Sequence, residues 1–199
     1  MIASAGSSGK SITIKSRDEI RIMEDANRVV AEVLVMLQTT VEPGISTFEL
    51  DRLAEELCLK RKAVPAFKGY RGFPGSLCVS INEEVVHGIP GDRTLKDGDI
   101  VGFDIGAIWE GYHGDAARTF AIGDVSEEAR RLMQVTRESL QRGLAQVQDG
   151  NRIGDIYRTI VVEVPADKGG LGRSDRGVAA AAAFLVTVGG DNLVLVRSG

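Results

Sequence analysis

The stretch Gly98–Thr119, GDIVGFDIGAIWEGYHGDAART, restricts the fold of this chain more than any other. Ile100 to Trp109 is apolar apart from Asp104, and Glu110-Gly111 supplies a two-residue hairpin turn. With those two residues as the loop, Trp109 pairs with Tyr112, Gly106 with Asp115 and Asp104 with Ala117. Side chains alternate faces along a strand, so Asp104 and Asp115 share a face as diagonal neighbours. Neighbours of that kind lie within roughly 7–8 Å, near enough for two carboxylates to share a cation. Gly102 and Gly106 fall on the same face and are expected to leave room. A surface hairpin with two solvated aspartates is the plain alternative. Against it, Asp is depleted in strand interiors, and Asp104 stands in a run of Val, Phe and Ile where an unpaired carboxylate is costly. The residues by themselves support a shared metal or basic partner about as well as the solvated hairpin.

Around this hairpin the chain reads as helices and turns. Ser16-Arg17-Asp18-Glu19 is a capping box, and Ile20, Met23, Val30, Leu34 and Leu37 follow at helical spacing, predicting a helix from about Arg17 to Leu37. Pro43-Gly44 stops it. Ser46 and Glu49 cap a second helix carrying Leu50, Leu53, Leu57 and Leu59. Residues 64–80 mix Gly, Pro and aromatics, the composition of a loop folded over something, and end in a strand near Leu77 to Ile81. Asn82-Glu83-Glu84 is a turn. His87, one of only two histidines, leaves that turn toward the Asp104 strand. The other, His113, lies at the hairpin opposite Ile108 and receives no role. Ser126 opens a third helix with Leu132, Leu140, Leu144 and Val147 at core spacing. A fourth begins near Arg152 and ends at Pro165.

The bulk numbers exclude several classes. A net charge of −4 argues against binding nucleic acid through phosphate contacts. No apolar run is long enough to span a bilayer, and residues 1–13 read as a flexible leader without an apolar signal core. Two cysteines, Cys58 and Cys78, form neither a disulfide framework nor a C-x-x-C pair, which fits a cytoplasmic protein with reduced thiols.

Val41–Arg52 (VEPGISTFELDR) and Val147–Arg158 (VQDGNRIGDIYR) echo each other in Val, Gly, an acidic residue, an apolar residue and Arg. Each follows a long helix and opens another, suggesting two related halves. After the second copy the chain reads differently: five consecutive alanines, Ala179 to Ala183, then a hairpin pattern over residues 184–196.

These residues together resemble a family. From Ile14 to about Ile160 the chain is similar to the type I methionine aminopeptidases, through VEPGISTFELDRLAEE, FKGYRGFPGSLCVSINEEVVHGIP, LKDGDIVGFDIGAIWEGYHGDAARTF and the GNRIGDI turn. The resemblance implies an α+β pita-bread (creatinase/aminopeptidase) fold, an antiparallel sheet covered by helices. Residues 14–199 would form one catalytic domain, with 14–124 as its first half and 125–199 as an incomplete second. It implies two divalent ions (Co, Mn, Fe, Zn or Ni), with Asp104 and Asp115 as metal ligands. It makes His87 the catalytic, substrate-contacting histidine, and puts Tyr70, Phe73 and Cys78 in an apolar pocket for a Met side chain. Phe67 stands where relatives often have Cys. The implied substrate is the N-terminal Met of peptides or nascent proteins, with the ribosome as a further partner. The family draws three more ligands from its second half: a His in Gly-His-Gly, a Glu before Pro and a Glu in the last strands. This chain has no His after His113 and no Glu after Glu163, so metal binding is expected to be impaired. The resemblance thus leaves two other readings open: a non-catalytic peptide-binding relative, or an inactive shortened product.

Overall fold

The computed structural model describes residues 14–161. The leader expected over residues 1–13 and the hairpin expected over 184–196 lie outside those residues. Helix α1 spans Arg17–Thr40 and starts on the capping box read from the sequence. The Ser16 N–H donates to Glu19 Oε2 at 2.6 Å, and the Glu19 N–H donates to Ser16 Oγ at 3.3 Å. Its buried stripe is Met23, Ala26, Val29, Val30, Val33, Leu34 and Leu37, whereas Ile20 in the first turn is exposed. Helix α2, Thr47–Lys60, is capped by the Ser46 hydroxyl, which accepts from the Glu49 N–H at 3.1 Å. Leu50, Ala54 and Cys58 are its fully buried positions, and Leu59 points to solvent.

The sheet has four antiparallel strands. β1 is Val64–Pro65, β2 Leu77–Ile81, β3 Ile100–Trp109 and β4 Tyr112–Ala121. β3 is the centre: β4 runs along one side, while β2 and β1 follow one another along the other. The β3–β4 register is the one read from the turn, with Trp109 opposite Tyr112, Gly106 opposite Asp115 and Asp104 opposite Ala117. Val101, Phe103, Ile105 and Ala107 of β3 are fully buried and form the core with α1, α2 and β2. At about 25 cal/mol per Å² of apolar surface, this face is what holds the helices to the sheet. β4 comes so close to α1 that a Cβ on Gly114 would lie 2.5 Å from the Ala26 carbonyl atoms.

Helix α3 spans Glu127–Ala145 and α4 Ile153–Val161, and the two pack on each other. The echo is structural at its turn: Gly44 and Gly150 both sit in the left-handed region, at φ 98° and 88°. The core expected on α3 is not formed by the described residues. Ser139 and Gly143 are its buried positions, Leu132 and Leu140 are half-buried, and Leu144 and Val147 are exposed. The apolar spacing is present, but α3 packs on α4, and among the described elements the sheet contributes little to covering it.

Candidate metal centre

One face of the sheet packs on α1 and α2, and the other carries the chemistry. Pairing places Cys78 and Ser80 of β2 opposite Asp104 and Gly102, and Asp115, Ala117 and Thr119 of β4 opposite Gly106, Asp104 and Gly102. Directly paired residues share a face, so the two aspartates, Cys78 and Ser80 stand together. Asp104 Oδ1 is buried and has no hydrogen-bond partner. Burial pushes the Asp104 carboxyl up to about 6. Burial, and then the Asp104 charge, pushes Asp115 up to about 7. Asp115 is itself solvent-exposed, so water screens part of that rise, and Asp104 bears the firmer charge penalty. The Cys78 thiol, 5% exposed, is pushed up to about 12 by burial and by Asp104, Asp115 and Asp51. Among the described residues no cationic side chain answers this negative charge. A divalent cation suits it: hard oxygen donors, an orphaned carboxylate oxygen and two acids held above their ordinary range. Of the two partners left open by the residues alone, the geometry therefore favours a metal. Among the described residues no group of three or more His, Cys, Asp or Glu side chains gathers around a common point.

The free space is smaller than the sequence suggested. A Cβ on Gly106 would meet Phe67 Cε1 at 2.8 Å and Ala66 Cβ at 2.9 Å, so this glycine admits the loop and not a ligand. The open position is Gly102, whose nearest neighbours would lie 3.8 Å away. Phe67 thus lies against the aspartate face beside Asp115, a placement with no local signal in the sequence because it depends on the Ala66 N–H bonding to the Gly106 carbonyl at 2.9 Å. The remaining pocket candidates separate. Phe73 is half-buried and Tyr70 is 62% exposed at the single 3-10 turn Tyr70–Gly72, while Cys78 lies beneath on β2. His87 is exposed, with φ 55°, and its imidazole has no hydrogen-bond partner among the described residues. His113 lies opposite Ile108, as the turn implies. Its pairing with Ile108 puts it on the same face as Asp115, two residues along β4.

Two residues outside the expected set position the site. Asn27 on α1 donates through Nδ2 to the Met23 carbonyl (2.9 Å) and accepts the Asp115 N–H at Oδ1 (3.4 Å), tying β4 to the long helix. Asp51 on α2 is buried and accepts the N–H groups of Ser76 and Leu77 at 2.7 and 2.8 Å, which fixes the start of β2. Burial pushes its carboxyl upward, partly offset by those two donors. The buried acid in the motif ELDRL was the available hint.

Fold and site define a class, and comparison with known proteins agrees. The sequence matches metallopeptidase family M24 over residues 21–180, and the chain belongs to that family. The match runs past Ile160, where the resemblance read from motifs ended. Within the family, the methionine aminopeptidase of Clostridium acetobutylicum is 53% identical over 150 residues, covering 75% of this chain and 60% of the relative. Methionine aminopeptidase 1 of Bacillus subtilis is 50% identical over 149 residues, with the same coverage. The crystal structure of the Thermotoga maritima methionine aminopeptidase superposes with a TM-score of 0.75 at 39% identity, covering 77% of this chain and 62% of that one. A prolidase from Pyrococcus furiosus shares the fold at 22% identity with a TM-score of 0.70. The architecture is therefore the pita-bread fold. The chain spans about 60% of the length of these curated relatives.

Proposed function

We propose that this chain carries the metal-binding and Met-recognising half of a methionine aminopeptidase site, within a single domain over residues 14–199. The carrying observation is Asp104 Oδ1, buried and without a partner, on one sheet face with Asp115 and Cys78. Asp104 and Asp115 would hold the divalent metal, whichever of Co, Mn, Fe, Zn or Ni it is. A metal bound there supplies a Lewis acid and lowers the pKa of bound water. The chain's own residues do the rest. Asn27 and the β3–β4 register orient the two carboxylates. Phe67, Phe73, Tyr70 and Cys78 offer apolar surface to a Met side chain, and a small dry pocket favours Met by packing. His87, exposed and without a hydrogen-bond partner among the described residues, would contact the amide of the first peptide bond. The substrate on this reading is a peptide or nascent chain with a free N-terminal Met, met in the cytoplasm near the ribosome. Among the described residues no helix is long and apolar enough to cross a membrane.

A second reading has its own support. No third ligand-type side chain joins the aspartates among the described residues, and the sequence has no His after His113 and no Glu after Glu163. A relative that binds N-terminal Met peptides without cleaving them fits those facts. The deciding experiment is hydrolysis of Met-Ala-Ser with added cobalt or manganese, run beside Asp104→Ala. Turnover abolished in the variant supports the peptidase. Saturable peptide binding without turnover supports the binder. Neither binding nor turnover overturns both.

A further inference from the structure

The segment that presents His87 is strained and clamped. Val86 and His87 have φ of 33° and 55°, the left-handed region, which a β-branched residue such as Val86 rarely enters. Such strain persists only where the surroundings over-determine the backbone. The surroundings here are β2. The Val79 N–H donates to the Gly88 carbonyl at 2.9 Å, and the Gly88 N–H donates to Ser80 Oγ at 3.3 Å. The approach is so close that a Cβ on Gly88 would lie 1.9 Å from the Val79 carbonyl oxygen. Before the strained pair, the Ile81 N–H donates to Glu84 Oε2 at 2.9 Å and the Glu84 N–H to the Ile81 carbonyl at 3.1 Å, which closes the other end. Among the described residues the His87 imidazole has no hydrogen-bond partner, so the backbone is what fixes where the side chain starts.

We propose that Ser80 is a positioning residue for His87: its hydroxyl, on the same sheet face as Asp104, holds Gly88 and thereby aims the imidazole over that face. Ser80 pairs with Gly102, and its neighbour on that face, Cys78, pairs with Asp104. The bond therefore links the His87 turn to the strand beside the proposed metal ligand. Ser80 touches neither substrate nor metal; it acts through Gly88. The inference rests on the proposed role of His87 only for its functional consequence, since the clamp itself is a property of the fold.

The chain has two histidines, so the imidazole C–H signals in an NMR spectrum of the full chain are few enough to assign with His113→Gln. Ser80→Thr keeps the hydroxyl, and Ser80→Val has nearly the same shape without it, so the pair separates hydrogen bonding from packing. In wild type and Ser80→Thr the His87 signal is expected to be single and sharp. In Ser80→Val it is expected to shift and broaden, with little change in thermal midpoint. Titration with Met-Ala-Ser, without metal so that no turnover intervenes, should then show binding weakened roughly fivefold in Ser80→Val, the loss of one ordinary hydrogen bond. An unchanged His87 signal in Ser80→Val overturns the proposal. So does equal perturbation of both variants, which would assign Ser80 to packing alone. A His87 signal that depends on the hydroxyl, but in wild type ignores the peptide, upholds the clamp and removes the substrate-contacting role of His87 instead.

Discussion

Asp104 shows how one residue can mark a site. Its carboxyl has no neutralising neighbour among the described residues, and burial holds it at about 6 against an ordinary value near 4. The folded chain therefore favours the protonated form. Between the unfolded and folded values the folded state binds more protons, so the stability of metal-free protein falls as pH rises through that window. A rise of about two units corresponds to at most about 3 kcal/mol, reduced where solvent reaches the group. Asp115 shifts in the same direction and extends the window toward neutrality. Thermal melts of metal-free protein should show lower midpoints at pH 7.5 than at pH 5.5; a midpoint that climbs with pH would mean a cation from the chain already neutralises the pair. Asp104→Asn removes the charge and keeps the shape. It should raise the metal-free midpoint at pH 7.5 and abolish the further rise that manganese gives the wild type, both read by differential scanning calorimetry.

At the scale of elements, the hairpin was legible because its turn admits one register and that register decides which side chains share a face. The two helix caps were legible for the same local reason, a hydroxyl three residues before a carboxylate. What escaped was everything fixed by a distant neighbour. Gly106 looked like open space and is the seat of Phe67, forty residues earlier in sequence. Asp51 drew no notice in the sequence, yet it accepts the Ser76 and Leu77 N–H groups and fixes the start of β2. The α3 leucines had core spacing without the sheet contacts that would make them core. Two glycines of the hairpin turn this into a test. Gly114→Ala drives a methyl into the α1 backbone near Ala26, and neither rigid element can give way. It should cost about 2 kcal/mol or more, as overpacking does. Gly102→Ala meets nothing closer than 3.8 Å and should change stability by less than about 1 kcal/mol. Urea unfolding of both variants checks the contrast; equal losses would mean that β4 and α1 move as the methyl enters.

For the whole molecule the question is how many ligands the site gathers. Fold and family agree on a pita-bread metallopeptidase, and the described residues bring two carboxylates to the proposed face. Two carboxylates leave most of a divalent ion's coordination to water, which makes for weak and unselective binding. If Asp104 and Asp115 are the whole set, manganese should bind with a Kd on the order of 10⁻⁴ to 10⁻³ M, the range of weak oxygen-only sites. Imidazole and further carboxylate ligands would tighten this by orders of magnitude. The sequence offers no histidine past His113, so added nitrogen ligation has to come from His113 or His87. His113 is the nearer along the chain, two residues from Asp115 on its face. Isothermal titration with manganese at pH 7.5, on the full chain and on His113→Gln, decides among these cases. Weak binding that is indifferent to His113 and lost in Asp104→Asn is the expected result, and it would favour peptide binding over turnover. Micromolar binding retained in His113→Gln would show that ligands beyond the two aspartates and His113 complete the centre, and the peptidase reading would then take precedence.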